Sequence, residues 1–289
     1  MRVLFIASTK NREKDLAQAF CNGVIAGGDY AEWSCKRVGD IERFAQFDAV
    51  GMVGVKSRKF WNAVIAAGAV PIMFDKGYVR ERRSDKRVWK FWRVSIGAHQ
   101  PVELMADQHS PSDRWNSLGL DVMDWTGGGS TILLAGSSAK FHEFNGLPDP
   151  TWWARRAVKD IRRITRRKIV YRPKPSWREA RPIDNAELSG PKDSLLERLR
   201  EARCIITYGS NISFDGVLQG VPSIVLGGGI GRPISSTSIA DVRRPLKVKD
   251  KVRRQWLHNI AYWQWTEDEM ATGEAWEFLR PFVQKWRGR

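Results

Sequence analysis

Cysteine is scarce in this sequence, with three residues (Cys21, Cys35, Cys204) among 289. Three cysteines cannot form a disulfide framework, and none stands in a CxxC pair that would suggest a zinc site. The expectation is a reduced, cytoplasmic protein. Long apolar runs are also missing: no stretch approaches the ~20 residues a membrane span needs. Val3 to Ala7 is too short for a signal-peptide core and is followed by charge. No GxxxxGK[ST] occurs, and no GxGxxG opens the first strand, so P-loop hydrolysis and an ordinary dinucleotide fingerprint both lose ground. His109, His142 and His258 have no metal-ligand spacing, and no protein-held metal is expected.

Acidic residues are outnumbered, 32 against 48 Lys and Arg, for a formal net charge of +16. That surplus favours an anionic partner. It is uneven: residues 1–130 carry 19 basic and 15 acidic residues, net +4, and residues 131–289 carry 29 and 17, net +12. Three basic runs stand out, Arg80–Arg93, Arg155–Arg181 and Arg243–Arg254. Each alone reads as a solvated face. Together they favour a nucleic acid or another polyanion. Fourteen tryptophans accompany them. Most belong in cores, while Trp89, Trp92 and Trp177 lie near basic runs and could stack on bases.

With 42% hydrophobic residues, the chain can build real cores, and its length suits two domains. Arg2–Ala7 reads as a strand, Ser8–Arg12 as a polar loop, and Glu13–Val24 as a helix with Leu16, Ala19, Phe20 and Val24 on one face. The order repeats: strand Asp48–Gly54, helix Lys59–Ala67, strand Val70–Phe74, strand Trp92–Ile96. Residues 100–129 are polar and rich in turn residues, which places the inter-domain connection near 129/130. A second series follows: strand Thr131–Ala135, helix Thr151–Ile164, strand Lys168–Arg172, helix Ser194–Ala202, strand Cys204–Thr207, a helix through Leu218, and strand Val221–Leu226. From Lys249 the pattern reads as two or three Trp-rich helices. The expected fold class is α/β, with two Rossmann-like doubly wound domains (1–129 and 130–289) facing a central cleft. Ligands of such sheets lie at the carboxyl ends of the strands.

The loops at those ends carry the candidate chemistry. Tyr208-Gly209-Ser210-Asn211 turns from a buried strand straight into a helix, whose free N–H groups and dipole suit a phosphate. An ordinary capped turn is the plainer alternative. Gly136-Ser137-Ser138 with Lys140, Arg172 with Lys174, and the Gly227–Gly231 loop with Gly228 could line the same diphosphate pocket. In the first half, Asp75 ends a strand and could act as general base on an acceptor hydroxyl, with His99 as the alternative base or an acceptor contact. A turn aspartate paired with a neighbouring cation is the competing reading. Lys10, Arg12, Lys56, Arg58, Lys76, Tyr78, Arg80, Arg82 and Arg83 are the candidate acceptor or DNA contacts.

These residues carry a resemblance. The strand, Gly/Ser loop and helix, followed by Gly220-Val221-Pro222, resemble the donor-binding half of GT-B glycosyltransferases and the related UDP-sugar 2-epimerases. AGSSAKF (135–141), VYRPKPSW (170–177), TYGSN (207–211) and HNIAYWQWTEDEMATGEAW (258–276) look like segments of bacteriophage proteins of this type. The match covers most of residues 131–289 and is loose before them. No Glu-x7-Glu pair of the common retaining families appears at the donor helix, where Asp215 stands alone in the ribose-binding position.

The resemblance implies terminal helices that cross back to the first domain, and sugar transfer from a nucleotide-sugar, a UDP-sugar first among them. Mg2+ or Mn2+ could assist the diphosphate without a protein cage. With the phage setting and the charge, it implies double-stranded DNA as partner and acceptor at a 5-hydroxymethyl pyrimidine, reached by base flipping. The enzyme would be a monomer in the host cytoplasm, with no membrane partner. A polysaccharide-directed transferase or epimerase, and a non-enzymatic DNA-binding protein, are the alternatives.

Overall fold

The structure, a computed structural model, describes residues 1–35, 41–54, 57–81, 89–126, 128–190 and 192–288. The chain divides into two compact units, Met1–Leu104 with Ile260–Arg289, and Met105–Asn259.

The first unit begins with β1 (Arg2–Ile6), α1 (Asn11–Ala26), β2 (Tyr30–Ser34), α2 (Ile41–Phe44), β3 (Ala49–Val53), α3 (Arg58–Ala66), β4 (Val70–Lys76) and β5 (Trp92–Ile96). The order β5-β4-β3-β1-β2 is parallel from β4 through β2, while β5 runs antiparallel to β4. Strands covered on both faces read as continuous apolar runs rather than alternating ones, as in Val3-Leu4-Phe5-Ile6 and Val70-Pro71-Ile72-Met73-Phe74, all buried. The unbroken runs make β1, β3 and β4 readable. β2 carries no such run, because Tyr30 is exposed and Glu32 to Ser34 are only half-buried.

The second unit contains α4 (Asp113–Ser117), β6 (Thr131–Ala135), α5 (Ala139–Phe144), α6 (Pro150–Arg162), β7 (Ile169–Arg172), β8 (Glu187–Leu188), α7 (Leu195–Glu201), β9 (Ala202–Thr207), α8 (Ile212–Leu218) and β10 (Ser223–Val225). Its five strands lie in the order β10-β9-β6-β7-β8 and are parallel throughout. α9 (Asp250–Ala261) carries the chain out of it. β11 (Gln264–Trp265), α10 (Glu267–Thr272) and α11 (Glu274–Arg287) then complete the first unit.

The units divide after Leu104 and after Asn259, not at 129/130. Residues 105–126 are tied to the second unit by polar bonds. Asn259 donates to the Gln108 carbonyl (2.7 Å), Met123 N to the Leu218 carbonyl (2.9 Å) and Thr126 N to the Gly220 carbonyl (2.7 Å). Arg253, buried, donates to the Met123 carbonyl (2.8 Å) and lies over the Trp125 ring. Such a segment has no apolar period and reads as a linker.

The tail is not purely helical. β11 pairs antiparallel with β5, and the Gln264 side-chain oxygen accepts from the backbone N–H of Tyr78 and Val79. α10 crosses α1 at Gly23, where a Cβ would stand 1.8 Å from the Met270 carbonyl oxygen, so only glycine permits the contact. Asp29 follows α1 and is buried. It accepts from Trp276 Nε1 (2.9 Å) and Arg280 Nε (2.8 Å) of α11, and pairs with the Met1 ammonium. Burial alone would raise its pKa, but the hydrogen bonds from the ammonium, Trp276 and Arg280 outweigh that and hold it below the usual value.

A carboxyl with a depressed folded pKa contributes stability that is fully present above its unfolded pKa and is lost as pH falls through the folded one. Asp29→Ala should therefore destabilise the protein by roughly 2–4 kcal/mol at neutral pH, because it strands the buried Trp276 N–H and unpairs Arg280. Urea unfolding at pH 7 measures this, and the gap between variant and wild type should narrow as the pH falls below the carboxylate range.

Candidate functional site

All five strands of the second unit point the same way, so the exits of β6, β7, β9 and β10 share one edge. The loops singled out in the sequence follow these strands directly. Gly136 N donates to the Arg172 carbonyl (2.9 Å), which joins the β6 and β7 exits. Gly227 N donates to the Tyr208 carbonyl (2.9 Å), which joins β10 to β9. Phe141 of α5 packs on the β9 exit: its ring lies 6.2 Å from that of Tyr208, and its Cζ would be 2.6 Å from a Cβ on Gly209. A Cβ on Gly229 would meet Gly209 Cα at 3.0 Å. The four loops thus form one packed row in which backbone touches backbone.

Within that row the polar groups differ in use. Ser138 caps α5 by accepting from Phe141 N (3.3 Å), Ser137 is buried, and Lys140 is exposed in the first turn of the helix. Ser210 N donates to Thr207 Oγ1 (3.1 Å), and Ser210 Oγ accepts a long bond from Ile212 N (3.4 Å). Asn211 occupies the N-cap of α8 without a side-chain cap bond, and Asp215, half-buried, lies one turn further on. Gly228 is exposed at the crest of its loop. Arg172 is half-buried and donates to Ser189 Oγ (2.8 Å) and the Asp193 carbonyl (3.0 Å). It therefore braces the β7 exit from within. Lys174 is exposed two residues later.

Two buried polar atoms beside this row have no hydrogen-bond partner among the described residues, His142 Nε2 and Tyr171 Oη. Tyr171 Oη lies 3.6 Å from the position of a Gly136 Cβ. His142 Nδ1 is 2.5 Å from the Pro148 carbonyl, so it must carry the proton and Nε2 is left an acceptor. Burial lowers the pKa of His142, against the opposing pull of that carbonyl and of Asp149. Burial, helped by Asp149, pushes Tyr171 up to about 12. Neither residue stands in a recognisable motif of the sequence.

In the first unit, β1, β3 and β4 share a carboxyl edge, and the candidate cations follow those strands. Lys10 precedes α1, Arg58 opens α3, and Lys76 ends β4; all three are exposed, as is Arg80. Arg12 lies 5.8 Å over the Trp92 ring and Lys76 5.7 Å over that of Trp89. Lys56, Arg82 and Arg83 lie outside the described residues.

Tyr78 is a correction. It is buried, its hydroxyl donates to Gln100 Oε1 (2.6 Å), and burial raises its pKa to about 12, so it is a core residue and not a surface contact. β5 runs antiparallel to β4, and Asp75 and His99 are brought together through Arg93, which is 2% exposed. Arg93 donates to Asp75 Oδ2 (3.0 Å) and to the His99 carbonyl (2.7 Å), and its Nη2 is 3.4 Å from His99 Nε2. Asp75 Oδ1 accepts from Lys76 N (2.8 Å). Arg93, the hub, carries no signal beyond its place in an apolar strand.

No family model matches the chain, and no match is found among curated protein sequences. Solved structures do resemble it. One is the β-Kdo 2,4 transferase of Thermosulfurimonas dismutans KpsC, at 13% identity over 91% of each chain and a TM-score of 0.52. Another is the β-Kdo 2,7 transferase of the same KpsC, at 12% identity over 95% of this chain and 98% of that one, with a TM-score of 0.54. The fold is the two-Rossmann-like GT-B architecture.

The neutral state of buried His142 has a measurable consequence. A histidine whose folded pKa is depressed favours protonation of the unfolded chain, so its contribution is full above about 6.5 and is lost as pH falls toward the folded value. Stability measured by denaturant unfolding should decline from pH 7 to pH 5. His142→Gln should flatten part of that decline, leaving the share of His258, whose pKa burial and then Arg254 also lower.

Proposed function

We propose that this protein is a glycosyltransferase that moves a sugar from a nucleotide-sugar, a UDP-sugar first among donors, to a hydroxyl on a modified base of duplex DNA. The observation that carries the transfer reading is the row of strand-exit loops in the second unit. Closely packed glycines let a ligand approach the backbone there, and cations flank the row. The GT-B architecture makes sugar transfer the natural chemistry for that row, as an analogy of fold. The DNA reading rests on the net charge of +16 and on the exposed cations that follow β1, β3 and β4.

In this mechanism the bond from the anomeric carbon to the diphosphate oxygen breaks and a bond to the acceptor oxygen forms. The diphosphate leaves with the electron pair of the broken bond. Lys140, Lys174 and the Ser210–Asn211 turn stabilise its growing charge, and Arg172 fixes the β7 exit that presents Lys174. A divalent ion, where used, would sit on the diphosphate itself. Asp75 receives the proton of the acceptor hydroxyl. Its carboxylate is 38% exposed and is oriented by Arg93 and Lys76 N.

A carbohydrate acceptor is the second reading, favoured by the likeness to two Kdo transferases. Nucleoside mass spectrometry separates the two. Hydroxymethylcytosine, hydroxymethyluracil and unmodified DNA are incubated with the protein and pooled nucleotide-sugars. The expected result is a hexose- or pentose-sized mass gain on one hydroxymethylated nucleoside. No gain on any DNA, with UDP shown to raise the melting temperature, transfers the assignment to the carbohydrate acceptor. Ser210→Ala and Lys174→Ala should each melt near the wild-type temperature and transfer sugar roughly 10–100-fold more slowly. Arg172→Ala should lower the melting temperature even without ligand. Wild-type rates in all three would overturn the donor-site assignment.

A further inference from the structure

The candidate acceptor cations read from the sequence, Lys10 to Arg83, all lie in the first unit, yet the densest run of cations lies in the second. Residues 150–168 hold eight Lys and Arg and a single acid, Asp160. Four of those eight cations lie on α6 and a fifth, Arg163, is its C-cap. Trp152, Arg155, Arg156, Lys159 and Arg163 recur at helical spacing along α6 and its C-cap, and Trp152, Arg155, Arg156 and Lys159 are exposed along the helix itself. The side chains of Arg156 and Arg163 are about two-thirds exposed, Trp152 is 51% exposed, and Asp160 is shared between Arg156 (3.7 Å) and Arg163 (2.9 Å). Among the described residues, Arg155 and Lys159 make no ion pair. The stripe from 152 to 163 is about 16 Å long at 1.5 Å per residue, which matches about five base-pair steps of duplex at ~3.4 Å each.

The opposite face of α6 is already occupied. Trp153, Ala154, Ala157, Val158 and Ile161 are buried in the core of the second unit against Ile132, Leu134, Ile169 and Ile206. An amphipathic membrane helix must insert its apolar face, and this one has none to offer. What remains outward is positive charge with one exposed tryptophan at the start. That start lies beside the β7 exit: Thr151 Oγ1 accepts from Trp177 Nε1 (3.3 Å), three residues beyond Lys174. The stripe therefore begins at the candidate donor edge and runs away from it down the flank of the unit.

We propose that the outer face of α6 is a track for the phosphate backbone of duplex DNA. It deepens the DNA reading by giving the second unit its own hold on the polyanion, and it places a stackable ring, Trp152, at the end of the track nearest the donor loops. The track is electrostatic and indifferent to base sequence, so it serves to dock the acceptor rather than to select a base.

The test is fluorescence anisotropy with a labelled 24-base-pair duplex at several salt concentrations, with no nucleotide-sugar present. The triple variant Arg155→Ala, Lys159→Ala, Arg163→Ala should bind at least 10-fold more weakly at low salt. The slope of log affinity against log salt should become shallower by about 3, close to one for each phosphate left without its cation. Arg155→Lys with Arg163→Lys should keep the wild-type slope. Arg155→Glu alone, a single exposed change, should move affinity in the same direction if the triple variant melts early.

An unchanged slope in a triple variant that melts at the wild-type temperature would overturn the proposal, as would a wild-type protein that does not bind the duplex. Triple-sensitive binding to vesicles containing 30% phosphatidylserine, with duplex binding unaffected, would overturn it in favour of a membrane surface. A shallower slope with no sugar transfer to any DNA would keep the track and remove the transfer reading. Sugar transfer with an unchanged slope would do the reverse.

Discussion

The first unit depends on an interaction between segments some 250 residues apart in sequence. Asp29 follows the first helix and is buried, and a buried carboxylate is tolerated only where donors surround it. Those donors come from α11, through Trp276 and Arg280, and from the Met1 ammonium. The neighbouring helix α10 reaches α1 at Gly23, where backbone meets backbone, and β11 continues the sheet beyond β5. A five-stranded sheet ending in β5 would leave that strand's outer edge unpaired, with the backbone N–H groups of Tyr78 and Val79 lacking Gln264. The tail is therefore a structural component of the first unit. Through β11 and Gln264 it also supports the β4–β5 pair on which Asp75 and Arg93 sit.

This dependence explains what sequence reasoning could and could not reach. Continuous apolar runs such as Val70–Phe74 and Ile132–Leu134 identify buried parallel strands without further information. The glycines and polar turns after them identify the strand exits. Partnership is not local, and so it stays hidden. Arg93 reads as a charge interrupting a strand, and only the antiparallel register opposite Asp75 makes it the hub that joins Asp75 to His99. Tyr78 reads as a polar-tipped loop residue beside Lys76, but its hydroxyl finds Gln100 and it becomes core. Residues 105–126 read as a linker because hydrogen bonds to Leu218, Gly220 and Asn259 hold them, and hydrogen bonds leave no periodic trace in composition. Two-residue strands such as β8 and β11 are too short to carry a pattern at all.

The two kinds of surface in the second unit follow from different constraints. The strand-exit row is shaped by exclusion. At Gly209 and Gly229 a methyl group would collide with Phe141 or with neighbouring backbone, so these positions keep the loops low and close. A site of that kind is precise because it is packed, and its charged groups are few and individually placed. The α6 face is shaped by surplus. Its apolar side is consumed by the core, and its outer side carries more positive charge than Asp160 can balance. Mutual repulsion among exposed cations is modest in water and is screened beyond about 10 Å at 0.1 M salt. The stripe can therefore persist at little cost to folding, and it supplies a field that a polyanion meets before any specific contact forms. Under the proposed function the two surfaces would divide the work, the helix face holding a long polyanion and the packed loops acting at a single nucleotide.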